Sequence, residues 1–407
     1  MSQKIKTHRG LLTLNVGSSS IKFAVFDSDD LSLALSGQIT AIGGQTLFEA
    51  KQHGGEPAKD HRFSHDWADS EPPQNHAETI DWLVQWFGEQ LADSSIVAVG
   101  HRVVHGGIWF DSPVVVTPKI MAQLRELEPL APLHQPHNLA GIEAAQLAFD
   151  QAIHVACFDT AFHCHQPFVK DCFALPRHYY EQGVRRYGFH GLSYEYIAHH
   201  LETEFPLQAV GRVVVAHLGN GASMCAMLNG HSIASTMGFS ALDGLPMGTR
   251  CGQLDPGVVL YLLQQGMTEP ELTDLLYKES GLKGISGISN DMRELERSDA
   301  LEAKQAIDYF VYRIKRELGA LTAALEGLDA VVFTGGIGEH AASIREQVLQ
   351  GMAWIGVELD EQANRSHETI ISTRRSRVLC LRVPTDEETM IAKHTQKLMS
   401  RGSYEGR

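Results

Sequence analysis

The chain has 407 residues, of which 43% are hydrophobic and 20% are charged. This composition is typical of a globular protein, and the length exceeds what one ordinary core supports, so we expect two domains. The 49 acidic and 34 basic residues give a net charge of −15, which argues against nucleic-acid and anionic-membrane partners. Any anionic substrate must therefore be bound by local Arg or Lys.

Hydropathy and cysteine usage bear on the compartment. No apolar run approaches the roughly 20 residues that a membrane span needs. The apolar stretch near the N-terminus is interrupted by Asn15 and Gly17, too early for a signal-peptide core. The 6 Cys include no CxxC pair and are typical of reduced thiols, so we expect a cytoplasmic protein.

The N-terminal half alternates predicted strands and helices. LLTLNVGSSSIKFAVFD places a Gly/Ser turn between two apolar runs and predicts a β-hairpin. The polar residues 43–77 predict a peripheral hairpin and loop rather than core. Apolar residues at helical spacing from Ile80 to Leu91 predict a helix. The next segment, IVAVGHRVVHGG, predicts a strand that enters a glycine turn. A further helix is predicted from HNLAGIEAAQLAF, before the strand AIHVACFD. This alternation indicates an α/β sheet.

The second half begins near residue 150 and repeats the pattern. VVVAHLGNGASMCAML again places Asn, Gly and Ser between two apolar runs, half a chain after the first hairpin. We therefore predict an internal duplication, with two related domains whose Gly-rich hairpins face a common cleft. A long helix is expected from Ile307 to Leu325, before the strand and glycine turn of LDAVVFTGGIGEH. We place the domains at 1–155 and 156–385, with a C-terminal helix of about 386–407 packing back on the first.

Three Gly-rich turns each follow an apolar strand, at Asn15 to Ser20, His217 to Gly221 and Gly335 to Gly338. Such turns expose backbone N–H groups without side-chain bulk and bind phosphate oxygens. One alone would be only a turn, but three favour a nucleotide-phosphate site, with Lys22 as a nearby cation. The chain lacks the P-loop and dinucleotide-binding patterns.

Basic and imidazole groups stand beside glycines and are candidates for the local anion site, because a guanidinium fork suits carboxylate or phosphate. These groups are Arg102, His105, Arg186, His190 and Arg250. The acidic candidates are Asp159, Asp291, Glu387 and Glu388. Magnesium prefers few protein carboxylates beside waters and substrate phosphates, so one carboxylate with Asn15 would suffice.

Ten motifs resemble those of the acetate kinase family in the same order, within a resemblance that spans residues 12–392: LTLNVGSSSIKF, HRVVHGG, PLAPLH, FDTAFH, RYGFHG, HLGNGAS, MGTR, SGISNDMR, FTGGIGE and VPTDEE. The resemblance implies a duplicated ribonuclease H-like α/β fold of the actin, Hsp70 and sugar-kinase type, with an interdomain active-site cleft and a homodimer. It implies reversible transfer of the ATP γ-phosphoryl to acetate, giving acetyl phosphate and ADP, with Mg²⁺ or Mn²⁺.

The resemblance also implies roles for individual residues. Asn15 and Glu387 hold the metal. The nucleotide and its phosphates are bound by Ser18, Ser20, Lys22, His217, Leu218, Gly219, Asn220, Gly221, Asp291, Met292, Arg293, Gly335, Gly336, Ile337, Gly338 and Glu339. The reaction is carried by Arg102, Asp159, His190 and Arg250. The acyl substrate is bound by Arg102, Val104, Leu133, Phe189 and Ala241. Asp159 is the family's proposed acid/base, but an already ionised carboxylate needs no base, which favours an orienting role.

The chain departs from the family pattern at several positions. Ala241 replaces a Pro of the acyl pocket, which favours propionate or another short-chain acid as the alternative substrate. The other departures are Leu192, Tyr194, Cys251, Gln253 and His340. An alternative of another class is a nucleotide-gated binding module, in which ATP closes two domains around a partner protein.

Overall fold

The structure is a computed structural model, which describes residues 9–17, 20–53, 62–65, 67, 71–90 and 95–402. The chain divides into two compact units, one made of Met1–Ala161 with Asp386–Arg407 and the other of Phe162–Thr385. No helix among the described residues is both long and apolar enough to cross a membrane.

The first unit contains an eight-stranded mixed sheet. Its strands are β1 (Arg9–Val16), β2 (Ile21–Asp27), β3 (Leu33–Thr40), β4 (Leu47–Gln52), β5 (Arg62–His65), β6 (Ser95–Val103), β7 (Val114–Val115) and β8 (Ile153–Phe158). The strand order is β5-β4-β3-β2-β1-β6-β8-β7. The predicted first hairpin is confirmed, because β1 pairs antiparallel with β2, and β1, β6 and β8 run parallel at the centre.

Helices cover both faces of this sheet. They are α1 (His76–Gln90), α2 (Pro118–Glu126), α3 (Gln135–Ala148) and α16 (Glu387–Gly402). Alternate residues of β1 point to opposite faces, as strand geometry requires. Leu12 and Leu14 belong to the core cluster that includes residues of α1 and α3, whereas Leu11 packs with Ala392 of α16. The central strands are therefore buried on both sides.

The expectation that residues 43–77 lie outside the core is wrong for β4. This strand pairs with β3 and β5 as a hairpin, but its inward side chains alternate with exposed ones, and Phe48 is buried. The Phe48 ring lies 4.9 Å from the ring centroids of both Trp82 and Trp86 on α1. Because the sheet extends beyond β3, the two apolar residues Phe48 and Ala50 are enough to bring β4 into the core, although the surrounding sequence is polar.

The second unit contains a five-stranded sheet in the order β11-β10-β9-β12-β13. Its strands are β9 (Arg212–Leu218), β10 (Ala222–Leu228), β11 (His231–Ser235), β12 (Ala330–Thr334) and β13 (Leu379–Arg382). Its helices are α4 (Phe168–Asp171), α5 (Arg177–Glu181), α6 (Gly191–Glu204), α7 (Pro206–Ala209), α8 (Pro256–Gln264), α9 (Glu269–Asp274), α10 (Gly281–Ser286), α11 (Met292–Arg297), α12 (Leu301–Ala324), α13 (Gly335–His340), α14 (Ala342–Leu349) and α15 (Glu361–Arg365), with a π-helical turn at Leu275–Glu279. Helix α6 packs on the sheet through Ile197 and Leu201, and α12 packs along β9, β10 and β11.

The two sheets share one topology. In each, the first three strands form an antiparallel meander, and the next two lie parallel to the first on its other side. Strands β1, β2, β3, β6 and β8 thus correspond to β9, β10, β11, β12 and β13. The predicted α/β fold with an internal duplication is confirmed.

Candidate active site

The predicted polar and charged residues of the first unit converge at the carboxyl ends of three neighbouring parallel strands. Asn15 lies near the end of β1, Arg102 near the end of β6, and Asp159 directly after β8. The loops at this edge of an α/β sheet are where ligands usually bind. Lys22 lies opposite Asn15 in the antiparallel register of β1 and β2, so both side chains share one face.

Arg102 is held from two sides. Its Nε donates to Oδ1 of Asp159 at 3.0 Å and its Nη2 donates to Oδ2 at 2.5 Å, while Nη1 donates to Oδ1 of Asn15 at 3.0 Å. The Arg102 side chain is 18% exposed and that of Asp159 is 1% exposed. Burial alone would lower the pKa of Arg102, but the Coulombic attraction of Asp159 and Glu387 outweighs it and raises the pKa further. The guanidinium is therefore a permanent, oriented cation.

Carboxylates gather at the start of α16. Oε2 of Glu387 lies 3.9 Å from Nε of Arg102. Burial, and then the negative charges of Glu387 and Asp386, raise the pKa of Glu388, while the positive charge of Lys22 lowers it. This arrangement carries more negative than positive charge, so an additional cation would stabilise it.

Two buried amides that sequence reasoning missed hold the strand ends in place. Asn138 of α3 accepts a hydrogen bond from N of Val104 at 2.9 Å and donates to O of Val16 at 2.7 Å, which ties the end of β6 to the end of β1. Gln135 accepts from N of His105 and donates to its carbonyl oxygen. The only sequence signal was Asn138 within the predicted helix, because Gln135 lies before the segment that was predicted as helical.

The predicted imidazole of His190 lies in the second unit, directly before α6, with φ of 58°. Its Nδ1 is 2.8 Å from Oγ of Ser223, and its ring stacks on that of His217 with centroids 4.3 Å apart. Nδ1 of His217 is in turn 2.9 Å from Oγ of Ser193. Neither serine was singled out from the sequence, because each acts across 24 to 33 residues of chain.

The predicted nucleotide-binding turns of the second unit lie side by side. Gly335 has φ of +75°, and a Cβ there would lie 2.8 Å from the carbonyl oxygen of Leu218, so glycine is required where the two turns meet. The backbone carbonyl of Asn220 accepts from N of Gly248 at 3.0 Å, and its side chain accepts from Nδ2 of Asn290 at 3.3 Å. The first bond joins the HLGNG segment to the MGTR segment, and the second joins it to the SND segment.

The remaining predicted nucleotide residues are placed as follows. Asp291 caps α11 by accepting from N of Arg293 at 2.8 Å, and the exposed Arg293 side chain folds back on it. Oε1 of Glu339 accepts from N of Gly335 at 2.9 Å and from N of Thr385 at 3.2 Å, so Glu339 holds its own turn. The other members of this set in α11 and α13 are Met292, which is buried, Gly336, Ile337 and Gly338.

The residues predicted to bind the acyl group are divided between the units. Val104 is buried and Leu133 partly buried in the first unit. In the second unit Phe189 is buried, and Nη1 of Arg250 donates to the carbonyl oxygen of Ala241 at 3.2 Å. Arg250 therefore lies beside Ala241, as an acyl-binding role for both requires.

The first glycine turn is described in part. The carbonyl oxygen of Ser20 accepts from N of Gly17 at 2.8 Å and closes the turn. Ser18, predicted on the phosphate path, lies outside the described residues.

Comparison with known proteins identifies the family. The Acetokinase family model matches residues 10–393. An acetate kinase of Methylocella silvestris is 56% identical over 398 residues, which cover 96% of this chain and 98% of that protein.

Two solved structures share the fold over nearly their whole length. Porphyromonas gingivalis acetate kinase is 34% identical with a TM-score of 0.83, over 96% of this chain and 100% of that chain. A propionate kinase from Francisella tularensis is 34% identical with a TM-score of 0.87, over 96% and 99% respectively. Because the family model and these relatives cover almost the entire chain, the chain belongs to the acetate kinase family.

Proposed function

We propose that this protein reversibly transfers the γ-phosphoryl group of ATP to acetate, giving acetyl phosphate and ADP. The observation that supports this most directly is Arg102, a guanidinium oriented by Asp159 and Asn15 at the carboxyl edge of the sheet. In a chain with a net charge of −15, such an oriented cation is a specific anion site rather than part of a general basic surface.

Arg102 neutralises negative charge while the phosphoryl group moves. A guanidinium has five N–H groups, and Asp159 and Asn15 engage three of them among the described residues, which leaves two N–H groups for substrate oxygens. Phosphoryl transfer depends mainly on positioning and charge neutralisation. Asp159 serves this step by fixing the guanidinium plane. It need not remove a proton, because acetate, with a pKa of about 4 to 5, is already ionised at neutral pH.

The second unit supplies the remaining groups. Arg250 binds the acyl carboxylate and the transferring phosphoryl group together with Arg102, and His190 donates a hydrogen bond to an equatorial phosphoryl oxygen. Val104, Leu133, Phe189 and Ala241 surround the acyl methyl group. The adjoining turns at His217 to Gly221, Asp291 to Arg293 and Gly335 to Glu339 bind ATP, supported by the close approach of Gly335 to Leu218 and by the Asn220–Asn290 hydrogen bond. Ser18, Ser20 and Lys22 line the phosphate path.

Members of this family use ATP with a divalent metal, and we propose that Mg²⁺ is the metal here, replaceable by Mn²⁺. The donor set fits a hard cation, since Asn15 and Glu387 offer oxygen atoms, and the pKa of Glu388 is raised by burial and then by neighbouring carboxylates. Asn15 and Glu387 would hold the ion, whose chemistry is to neutralise nucleotide phosphate charge. Addition of EDTA should abolish activity, and Mg²⁺ in excess should restore it.

We also propose a homodimer formed through α8. Although its sequence, PGVVLYLLQ, is strongly apolar, none of its residues is buried, and Leu260 and Tyr261 are 60% and 58% exposed. An exposed apolar face of this kind marks a protein interface, and a second copy is the occupant that the family implies. Sedimentation velocity should give a dimer for the wild type and a monomer for Leu260→Asp. The control Leu147→Asp, at an exposed residue of α3, should remain dimeric.

The reaction is tested by incubating the protein with ATP, Mg²⁺ and acetate and trapping acetyl phosphate as its hydroxamate. We expect product formation that requires all three components. Absence of product at saturating acetate would contradict the proposal. Unaltered ATP binding with unchanged rates in both Arg102→Ala and Arg250→Ala would favour the nucleotide-gated binding module instead.

Propionate is the second candidate substrate, favoured by Ala241 where the family has Pro and consistent with the solved propionate kinase above. The ratio of kcat/KM for acetate, propionate and butyrate decides between the two. One methylene contributes about 1 to 3 kcal/mol to such discrimination, so a preference of 10-fold or more is expected in one direction. Ala241→Val should shift the ratio towards acetate.

Location in the cytoplasm, without nucleic-acid or membrane partners, is part of the same proposal. Cell fractionation tests it, because kinase activity is then expected in the cytosolic fraction.

A further inference from the structure

A buried chain of two hydroxyl groups contacts His190 at Nδ1. The phenol oxygen of Tyr194 lies 2.5 Å from Oγ of Ser223, which lies 2.8 Å from Nδ1 of His190. Tyr194 and Ser223 have no solvent exposure. Tyr194 is in the first turn of α6 and Ser223 is on β10, so the chain joins two rigid elements. Tyr194 is also one of the positions where this sequence departs from its family's motif.

The direction of these hydrogen bonds follows from counting donors. Among the described residues, Ser223 is the only hydrogen-bond partner of the Tyr194 hydroxyl. If Ser223 donated to Tyr194, the phenol proton would be buried without an acceptor, which is costly. Tyr194 therefore donates to Ser223, and the single proton of Ser223 is directed at Nδ1 of His190. Burial also raises the pKa of Tyr194 well above its usual value, so the phenol remains a donor at neutral pH.

This direction determines the tautomer of His190. Because Nδ1 accepts the serine proton, the neutral ring carries its own proton on Nε2. Nε2 faces the glycine turn of the second unit, since a Cβ at Gly221 would lie 3.3 Å from it. The ring plane is fixed further by stacking on His217, which Ser193 of the same helical turn contacts.

We propose that Tyr194 is a positioning residue that, through Ser223, holds His190 as the tautomer with its proton on Nε2, ready to donate to the transferring phosphoryl group. The consequence for the reaction rests on the proposed function, whereas the tautomer itself does not.

The tautomer is measured by ¹⁵N NMR on protein labelled at histidine, with the His190 signal assigned by its loss in His190→Gln. In the wild type we expect protonated Nε2 and unprotonated Nδ1. Tyr194→Phe removes only the hydroxyl and keeps the ring that packs against Phe162 and His163. Since Ser223 can then rotate, both tautomers should be populated. An unchanged His190 spectrum in this variant would overturn the proposal.

Kinetics test whether the tautomer matters. We expect Tyr194→Phe to lower kcat about tenfold, the scale of one buried hydrogen-bond donor, with the KM values for ATP and acyl acid nearly unchanged. Ser223→Ala should lower kcat at least as much. Tyr196→Phe, which removes a hydroxyl from the same helix, is the matched control and should retain wild-type kcat and the wild-type tautomer.

The outcomes separate the two claims. A mixed tautomer with unchanged kcat overturns the positioning role. A wild-type protein that shows the fixed tautomer but forms no acyl phosphate contradicts the proposed function and leaves the hydroxyl chain established.

Discussion

Two arginine–aspartate pairs of this protein have similar bidentate geometry but lie at opposite ends of strands. Arg102 and Asp159 meet at the carboxyl ends of β6 and β8, with Asp159 1% exposed. Arg212 begins β9 and bonds Asp329, which directly precedes β12, so this pair lies at the amino ends of parallel strands. Both of its side chains are 39% exposed.

We infer from this difference that position in the sheet, rather than the ion pair itself, separates the arginine proposed to act in the reaction from a structural one. Exposed pairs are screened by water and contribute little. Asp159 is removed from water and fixes the Arg102 guanidinium at the edge where α/β sheets bind ligands. The pair of the second unit instead joins the starts of two neighbouring strands.

The largest effect is expected for Arg102→Ala. Loss of a preorganised group that stabilises the transition state lowers kcat about 10²- to 10³-fold. Arg212→Ala, its matched control, should retain wild-type kcat because its guanidinium lies at the amino ends of parallel strands in the second unit, away from the edge where ligands bind. Acyl hydroxamate formation under identical conditions gives both rates. Equal rates in Arg102→Ala and Arg212→Ala would contradict the proposed difference in role between the two arginine–aspartate pairs.

A smaller loss is expected for Asp159→Asn. The Asn side chain keeps the shape of Asp but has no negative charge with which to hold the Arg102 guanidinium in its plane. A misplacement of that group by about 1 Å lowers the rate about 10²-fold. Asp329→Asn serves as the control and should not change kcat. If Asp159 were instead the reaction's base, the variant would lose the acidic limb of the pH–rate profile, whereas an orienting role lowers the rate evenly across pH.

The glycine turns of the second unit can be tested by Gly335→Ala. Gly335 has φ of +75° and its added Cβ would lie 2.8 Å from the carbonyl oxygen of Leu218, so strain of about 1 to 3 kcal/mol is expected. The KM for ATP should rise about two- to tenfold if half of that strain displaces the turn. Gly319→Ala in α12, where nothing lies within 4 Å, should leave KM unchanged and stabilise the helix. An unchanged KM for ATP in Gly335→Ala would contradict a role of this turn in nucleotide binding.

The smallest predicted effect concerns pH and stability. Burial lowers the pKa of His163 to about 4, and burial followed by repulsion from His154 lowers that of His101 well below its usual value. The unfolded chain therefore binds more protons below pH 6.5, and the unfolding free energy falls as pH decreases towards 4. Each such histidine contributes about 1.4 kcal/mol per pH unit in that window. Thermal unfolding between pH 7 and 5 should be less pH-dependent in His163→Gln, and an identical dependence would contradict this assignment.

Local patterns made the strands and the main helices predictable. The first hairpin and the helix α12 follow from alternation and four-three spacing, and both are present. Arg102 was identifiable as a candidate because it stands at the end of an apolar run before glycines. The buried position of Phe48 was not predictable, because it depends on how many strands extend the sheet beyond β3.

The site's hydrogen bonds depend on long-range pairing and were not predictable from one sequence. Arg102 contacts Asp159 and Asn15 across 57 and 87 residues. Asn138 reaches Val16 across 122 residues. Only the strand order β1-β6-β8 brings these positions together, and local composition does not encode that order.

The central claim is that a guanidinium held by Asp159 neutralises the transferring phosphoryl group. Its most direct test is whether free guanidinium ion restores the activity of Arg102→Ala. Acyl hydroxamate formation is measured in this variant, which keeps Asp159, and in a double variant that lacks it. We predict that millimolar guanidinium restores part of the rate in Arg102→Ala and none in the Arg102→Ala, Asp159→Ala double variant. Equal rescue in both variants would contradict the claim.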